Sequence, residues 1–311
     1  MSVWLGKKPK IIFMGTPSYA ERILDELIAC KFSIVGVFTG EDKPFGRKGA
    51  LKQSEVKRLA QSKIPQTPIF TPKSLKTSEV LAQIQGLKAD FIVVAAYGKL
   101  LPKEILSCAP CINLHASLLP KYRGASPIQQ AILNGDEISG VCAMLMNERL
   151  DGGAILKSVS LNIKNKRADE VFLAMSELAA RLCVETLNEF STLKALPQDE
   201  SKATFCTKIK KENGLVNLDN AKELYHKFLA FYPWPSVFLS NGLKFIDIEL
   251  VDNAAHERDG EILSVEKEGF LLACKTGTLK VKALQESGKN KVSAKDYING
   301  KRLKSGDSLY R

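Results

Sequence analysis

The sequence predicts an α/β protein whose N-terminal part folds around a parallel sheet and whose C-terminal part is a small antiparallel β-barrel. Two observations support this prediction. Over the N-terminal part, short and continuously apolar runs alternate with helical patterns, which is typical of a parallel sheet covered by helices on both faces. In the C-terminal part, short strand-like runs are instead separated by glycine-containing turns, as in a small barrel.

The first predicted elements alternate between strands and helices. Lys10–Gly15 is an apolar run that ends in glycine, and apolar residues at helical spacing follow it, which indicates a strand, a turn and a helix. The β-branched runs Ser33–Thr39 and Asp90–Ala96 predict two further buried strands. Between these two runs, the apolar spacing predicts helices over Glu55–Gln61 and Ser78–Ile84.

The remainder of the α/β part ends in a long helix. Cys111–Leu114 and Gly140–Met146 predict two more strands, and apolar residues at helical spacing predict a helix over Ala168–Phe190. The next stretch is polar, contains Pro197 and lacks a period, which indicates a linker. We therefore expect three parts: an α/β domain over residues 1–190, a linker over residues 191–207 and a β-barrel domain over residues 208–311.

The barrel domain is expected to contain five short strands. Turns with Asn-Gly, Asp-Gly, Glu-Gly and Thr-Gly dipeptides separate the strand-like runs. The predicted strands are Val237–Leu239, Leu243–Leu250, Gly260–Val265, Gly269–Cys274 and Thr278–Ala283.

The composition is that of a soluble globular protein. Hydrophobic residues make up 45% and charged residues 25% of the chain, and no apolar run approaches the roughly 18 residues that a membrane span requires. The N-terminus has too few apolar residues for a signal peptide, so we expect a cytoplasmic protein without membrane contact. The seven scattered cysteines favour free thiols. The net charge of +11 indicates either a polyanionic partner or a contribution to solubility.

Two polar residues, Asn113 and His115, lie at the end of the run that begins at Cys111. Doubly wound sheets bind ligands beyond the C-terminal ends of their strands, and alternation along an extended segment puts both side chains on one side. An imidazole can exchange a proton near neutral pH and an amide can donate to a developing oxyanion, so the pair suits acyl transfer. The structural alternative is that Asn113 caps a turn and His115 is an ordinary strand-end residue.

Asp151 is a carboxylate that could act with this pair. It follows the run Gly140–Met146, and the glycines at 152 and 153 permit a tight turn and the close approach of a ligand. In this position it could orient His115. The alternative is an ordinary aspartate in a turn.

Two motifs typical of other cofactors are present only in part. Cys108 and Cys111 have the spacing of a redox or zinc pair, but the pair runs into a strand and no second pair supplies further ligands. Gly15, Thr16 and Pro17 lack the glycine pattern of a dinucleotide fingerprint. We therefore expect neither a metal nor a dinucleotide cofactor.

Six segments occur in the order of one enzyme family's motifs: Ile12–Pro17, Ala96–Pro102, Ile112–His115, Ser117–Pro120, Tyr122–Ile128 and Phe231–Pro235. Through them the chain resembles the methionyl-tRNA formyltransferases over nearly its whole length. The resemblance implies a Rossmann-like formyltransferase domain followed by an OB-like barrel that binds tRNA. The Asn-x-His, Ser-Leu-Leu-Pro and Asp elements are also similar to those of glycinamide ribonucleotide and sugar N-formyltransferases, so they specify the folate chemistry better than the acceptor.

The resemblance implies that the chain moves a formyl group from 10-formyltetrahydrofolate, its co-substrate, to the amine of methionine on initiator tRNA, for translation initiation and without a metal. Asn113, His115 and Asp151 match the family's catalytic residues. The folate is expected along Ser117, Leu118, Leu119, Pro120, Tyr97 and Gly98.

The resemblance also implies a tRNA-binding loop over residues 40–53. Its basic residues are Lys43, Arg47, Lys48 and Lys52, of which Arg47 matches the family's functional arginine. The alternative is a solvated surface loop. Farther along, residues 275–304 contain nine Lys or Arg and only two acids, which predicts a basic face for backbone phosphates.

Two other functions remain open on the sequence alone. A sugar-nucleotide N-formyltransferase would share the chemistry without needing a basic C-terminal domain. A tRNA-binding or RNA-chaperone module would keep the fold without activity, although the joint presence of Asn113, His115 and Asp151 argues against it. We expect a monomer.

Overall fold

The chain folds into two compact units. The structure, a computed structural model, describes residues 8–45 and 50–310. Within these residues, the first unit takes in the chain up to Pro127, Ile138–Asn162 and Val171–Thr207. The second takes in Ile128–Glu137, Ile163–Glu170 and the chain from Lys208 onward. Two short segments from the N-terminal part of the sequence therefore pack with the C-terminal part.

The strands and helices of the described residues before Lys208 alternate along most of this part of the chain. The strands are β1 (Lys10–Gly15), β2 (Ser33–Phe38), β3 (Lys43–Phe45), β4 (Ala50–Lys52), β5 (Ile69–Phe70), β6 (Phe91–Ala95), β7 (Cys111–His115), β8 (Arg123–Gly124), β9 (Ile138–Leu145), β10 (Ile155–Asn162) and β11 (Phe205–Cys206). The helices are α1 (Ser18–Ala29), α2 (Glu55–Lys63), α3 (Ser78–Gly86), α4 (Lys103–Leu106), α5 (Pro127–Leu133) and α6 (Ala168–Glu189).

The main sheet of the first unit has seven strands in the order β10-β9-β7-β6-β1-β2-β5. From β7 to β5 the strands run parallel, as the continuous apolar runs predict. At the other edge, β9 is antiparallel to β7, and β10 is antiparallel to β9. The sheet is therefore mixed where a parallel sheet was expected, because an apolar run does not encode the direction of its strand.

The central strands carry the core of the first unit. Every residue of β6 and β7 is buried, and so is every residue of β1 except Lys10. On α1, the residues Ile23, Leu24 and Leu27 are fully buried, and such side chains each stabilise the fold by about 1.5–3 kcal/mol. The C-terminal ends of β6 and β7 are therefore anchored in packed structure, which holds the polar residues that follow them.

The segment of residues 191–207, expected to be a linker, is packed within the first unit. Leu196 exchanges two backbone hydrogen bonds with Ile155, each 2.8 Å long, and β11 pairs in parallel with β8. Its polar side chains, which suggested a solvated linker, bond to the first unit, since Gln198 and Glu200 both accept hydrogen bonds from Arg123.

The second unit is built on an antiparallel sheet, as predicted. Its strands pair in the order β12-β13-β16-β15-β14, with β17 beside β16; closure of this sheet into a barrel stays a prediction. Two helices of this unit were not predicted, although the sequence contains a favourable N-cap residue for each. Asn220 and Ser293 are these N-caps, and the side chain of each accepts a backbone N–H of its helix. The elements are β12 (Val237–Phe238), β13 (Lys244–Ala255), β14 (Ile262–Glu266), β15 (Gly269–Ala273), β16 (Thr276–Gln285), β17 (Val292–Ser293), α7 (Ala221–Ala230) and α8 (Ala294–Lys301).

None of the helices in the described part of the chain is long and apolar enough to cross a membrane. All seven cysteines are free thiols, as their number and scatter predicted.

Candidate active site

The end of β7 brings Asn113 and His115 to the same side of the sheet. β7 lies between β6, where Val94 is the partner of Asn113, and β9, where Cys142 is the partner of His115. Because side chains alternate along a strand, residues two apart project together. Both side chains are nearly buried, at 8% exposure for Asn113 and 6% for His115.

Asp151 meets both of these residues from the turn between β9 and β10. Its Oδ1 accepts a hydrogen bond from Nδ2 of Asn113 at 3.3 Å. Its Oδ2 accepts one from the backbone N–H of Gly124 at 2.8 Å and lies 3.7 Å from Nδ1 of His115. The structure thus brings together the three residues that the sequence singled out, although 38 positions separate Asn113 from Asp151.

The ring of His115 is held in one orientation by the backbone. Its Nε2 lies 2.9 Å from the carbonyl oxygen of Tyr122, and since a carbonyl can only accept, Nε2 carries a hydrogen. Nδ1 is then the ring nitrogen that faces the carboxylate of Asp151. A ring fixed in this way presents Nδ1 to any group bound beside Asn113 and Asp151.

The turn that carries Asp151 is tight. Asp151 itself has a positive φ of +46°, a conformation that Asp tolerates better than most residues. A Cβ added at Gly153 would lie 1.6 Å from the carbonyl oxygen of Leu145, so only glycine fits there. The carbonyl of Gly152 accepts hydrogen bonds from the side chains of Arg149 and Asn147.

The sequence did not indicate the side chains of Arg123, Gln198 and Glu200, which hold this turn through a hydrogen-bond network. Arg123 is only 3% exposed and donates to both Gln198 and Glu200. Gln198 in turn donates to the backbone carbonyls of Asp151 and Gly153. The hydrogen bonds from Arg123 and the charges of Arg123 and Arg149 hold the pKa of Glu200 below its ordinary value. These contacts join residues 45 to 77 positions apart, and no local pattern could have indicated them.

The loop after β7 carries the four residues Ser117 to Pro120. The hydroxyl of Ser117 is fully buried and donates to the carbonyl of Lys121 at 2.6 Å, which closes the turn. The backbone N–H of Leu119 donates to Sγ of Cys142 at 3.3 Å, and burial raises the pKa of that thiol to about 11, so it stays neutral. Leu118 and Pro120 remain half-buried and are the side chains of this loop that a ligand could meet.

Tyr97 and Gly98 follow β6 at the same end of the sheet. The ring of Tyr97 is buried, and among the described residues its hydroxyl has no hydrogen-bond partner. Burial raises the pKa of this hydroxyl to about 12, so it is a donor at neutral pH. Gly98 has a φ of +75° and open space where a side chain would lie. A buried donor without a partner beside an open glycine fits a ligand that carries a hydrogen-bond acceptor.

Of the four basic residues expected to bind tRNA, two can be described. Lys43 and Lys52 face each other across the β3–β4 hairpin, both are exposed, and Lys52 forms an ion pair of 3.1 Å with Glu55. Arg47 and Lys48 lie outside the described residues.

The basic stretch of residues 275–304 is less free to bind phosphate than its composition suggested. Within the stretch there are only two acids, but three of the four acids paired with its lysines come from outside it, so the local count missed them. The ion pairs are Lys275 with Asp219, Lys280 with Glu266, Lys282 with Glu249, and both Lys289 and Lys301 with Glu286. Among the described residues, no group of three or more His, Cys, Asp or Glu side chains could hold a metal ion.

Comparisons with known proteins give the same family for the N-terminal and the C-terminal parts of the chain. The profile of the family described as formyl transferase matches residues 9–186, and that of the formyl transferase C-terminal domain matches residues 208–302. The methionyl-tRNA formyltransferase of Campylobacter lari is 61% identical over 300 residues, which cover 96% of this chain and 99% of that protein. The methionyl-tRNA formyltransferase of Helicobacter pylori is 50% identical over 304 residues, with the same coverage of 96% and 99%.

Solved structures share the fold at low identity. An N-formyltransferase from Helicobacter canadensis, in complex with folinic acid and dTDP-3-aminofucose, is 16% identical with a TM-score of 0.65 and covers 88% of this chain and 99% of its own. HypX from Aquifex aeolicus, in complex with tetrahydrofolic acid, is 16% identical with a TM-score of 0.62 and covers 94% of this chain and 47% of its own. Because both family profiles match and the two bacterial relatives match along nearly their whole length, the chain belongs to the formyl transferase family and, within it, to the methionyl-tRNA formyltransferases.

Proposed function

We propose that the chain transfers the formyl group of 10-formyltetrahydrofolate to the amino group of methionine on initiator tRNA, for translation initiation, and that Asn113, His115 and Asp151 carry out the transfer. The observation that carries this proposal is the position of the Asp151 carboxylate, which accepts a hydrogen bond from the Asn113 amide and lies 3.7 Å from the His115 imidazole. An amide donor, an imidazole and a carboxylate around one space are the groups that acyl transfer to an amine requires.

Asn113 stabilises the oxygen of the formyl group as the amine adds to its carbon. One N–H of its side chain already points to Asp151, and the second is available for the oxygen that becomes negative. A donor of this kind is worth most in a site from which water is excluded, and the 8% exposure of Asn113 meets that condition. The carbon–nitrogen bond to the folate then breaks, and the oxygen returns to a carbonyl.

His115 and Asp151 manage the protons of the reaction. The attacking amine must lose one proton, and the nitrogen that leaves on the folate must gain one. Since Nε2 of His115 is bound to the Tyr122 carbonyl, Nδ1 is the atom that we assign to the reacting groups. Asp151 accepts the amine's proton, directly or through a water, and the proton on Nδ1 of His115 passes to the nitrogen that leaves on the folate. The proton taken up by Asp151 then returns to Nδ1, so that both groups are restored.

The folate is assigned to the loop residues Ser117 to Pro120 together with Tyr97 and Gly98. In this arrangement the hydroxyl of Tyr97, which has no partner within residues 8–45 and 50–310, donates to a polar group of the folate. The open side of Gly98 lets the ring system approach the backbone. Ser117 shapes the loop, because its hydroxyl is already bonded to Lys121.

The tRNA is assigned to the loop of residues 40–53, with Lys43, Arg47, Lys48 and Lys52 facing its phosphates. The exposed lysines of the β3–β4 hairpin support this assignment, since a cation held on two paired strands meets a phosphate with less loss of entropy. The proposal includes a cytoplasmic location, where charged tRNA and reduced folate occur, and a monomeric state.

A direct assay tests the proposal. The purified chain is incubated with 10-formyltetrahydrofolate labelled in its formyl group and with one of three acceptors: methionyl initiator tRNA, free methionine or an amino-sugar nucleotide. We expect label on the tRNA-bound methionine and a loss of about a hundredfold or more in turnover for Asn113→Ala. Label on the sugar alone would overturn the proposed acceptor, and unchanged turnover in the Asn113 variant would overturn its role.

A further inference from the structure

The side chain of Gln198 uses all of its hydrogen-bonding capacity between the turn of Asp151 and the guanidinium of Arg123. Its Nε2 donates to the carbonyl oxygen of Asp151 at 2.8 Å and to that of Gly153 at 2.7 Å. Its Oε1 accepts from Nε and Nη2 of Arg123 at 3.1 and 2.8 Å. A primary amide offers two donors and two acceptor positions, so no other side chain of this size could replace it.

Arg123 fixes Gln198 because the guanidinium is itself held on its other edge. Its Nη1 and Nη2 donate to the two carboxylate oxygens of Glu200, each at 2.9 Å. The side chain of Arg123 is 3% exposed, and a bidentate pair of this kind sets direction as well as distance. Arg149, from the turn itself, also reaches Glu200 at 3.0 Å. The network of Gln198, Arg123 and Glu200 is therefore bonded to the turn at both ends, through Gln198 and through Arg149.

The same segment supports another of the hydrogen bonds that Asp151 accepts. The backbone N–H of Gly124 donates to Oδ2 of Asp151, and Gly124 lies in β8, which pairs with β11 from the segment that carries Gln198. In addition, the N–H of Tyr122, whose carbonyl fixes His115, donates to Oγ1 of Thr204 at 2.9 Å. The backbones of Asp151, Gly124 and Tyr122 thus all depend on residues 198–206.

We propose that Gln198 is a positioning residue for formyl transfer. It holds the backbone of Asp151 in the left-handed conformation that points the carboxylate between Asn113 and His115, and the Arg123–Glu200 pair holds Gln198. Residue 198 lies behind the turn and is not assigned to either substrate, so it acts through Asp151. This inference rests on the proposed role of Asp151 in the transfer.

Gln198→Glu tests the inference with almost no change in shape. The carboxylate keeps its contact with Arg123, but it presents acceptors to the carbonyls of Asp151 and Gly153 where the amide presented donors. We expect kcat to fall by about 10- to 100-fold, the range in which a misplaced catalytic group reduces turnover, while KM for the folate and for the tRNA stays within about twofold. Gln66→Glu, the same change of charge on an exposed loop of the first unit, is the matched control and should keep wild-type kinetics.

A double-mutant cycle separates this inference from the proposed function. If Gln198 acts through Asp151, then Gln198→Glu added to Asp151→Asn lowers the remaining single-turnover rate by less than about twofold. Equal fractional losses in the two backgrounds, or a wild-type kcat for Gln198→Glu, would overturn the positioning role. A fully active Asp151→Asn would instead overturn the proposed function. Should Gln198→Glu fail to fold, Gln198→Met carries the same cycle, and amide hydrogen exchange over residues 147–153 should become faster in whichever variant is used.

Discussion

Gly153→Ala tests whether the turn of Asp151 is as constrained as the structure indicates. The new Cβ would lie 1.6 Å from the carbonyl oxygen of Leu145 and 2.8 Å from its carbon. Leu145 cannot yield easily, because its N–H is bonded to Ala154 and it pairs with Ile112 of β7. The turn must therefore move, by on the order of 1.5 Å to reach ordinary contact distance.

The cost of this movement can be worked out from the contacts that it breaks. Overpacking of a tight site costs about 1–3 kcal/mol, and the 2.7 Å hydrogen bond from Gln198 to the Gly153 carbonyl is worth about 1 kcal/mol more. A loss of about 2–4 kcal/mol lowers the Tm of a unit of this size by about 5–15 °C. Because Asp151 is two residues away, a displacement of about 1 Å at its carboxylate should reduce kcat by about a hundredfold.

Gly86→Ala provides the matched control. Gly86 ends α3, and a Cβ there meets nothing within 4 Å. Alanine at this position should leave activity unchanged and stabilise the helix by up to about 1 kcal/mol. Thermal unfolding and formyl-transfer kinetics of the two variants are compared with those of the unaltered chain. If Gly153→Ala matched Gly86→Ala in both measurements, the reasoning about this turn would be refuted.

Three further predictions concern the folate site, the hairpin and the second unit. Tyr97→Phe removes a buried hydroxyl that has no partner among the described residues. It should therefore raise the Tm of the free protein slightly, and it should raise KM for the folate several-fold because the donor to the ligand is lost. An unchanged folate KM would contradict the assignment. Lys43→Ala should weaken tRNA binding and flatten its dependence on salt by about one unit of slope, with the folate KM as control. Burial, together with the charge of Lys222, lowers the pKa of His226 below its ordinary value of 6.5. The unfolded chain then binds the proton more readily, so the free energy of unfolding should fall as pH drops below 6.5, and His226→Gln should reduce that fall in denaturation curves at pH 7.5 and 5.5.

The sequence predicted best those elements whose signal is local. β1 has the predicted bounds, and α6 ends one residue before its predicted end, because a continuous apolar run and a 3.6-residue period are visible in a short window. β10 was missed although Val159 and Leu161 alternate with polar residues, since an edge strand with few buried positions gives a weak pattern. The antiparallel direction of β9 depends on the path of the chain and has no local signal.

The site could be predicted only in part, because some of its contacts join residues that are far apart in the sequence. Asn113 and His115 are two residues apart on one strand, so their proximity follows from strand geometry. The two glycines that follow Asp151 suggested a tight turn that a ligand could approach. The contact of Asp151 with Asn113 and His115, however, depends on the fold of the whole unit and has no local signal. Gln198 and Glu200 lie in the stretch predicted to be a linker, because polar side chains that bond to a distant arginine look in sequence like solvated ones.

In the proposed mechanism three side chains act as one unit on one carbonyl, and the kinetics of combined variants distinguish this from three independent contributions. The single-turnover rate of formyl transfer is measured for Asn113→Ala, His115→Ala, Asp151→Ala and the triple variant, each confirmed to be folded by its thermal unfolding. We expect each single variant to lose about a hundredfold or more, and the triple variant to be slower than the slowest single variant by no more than about tenfold. A single variant that keeps the wild-type rate, or losses that multiply in the triple variant, would contradict the claim.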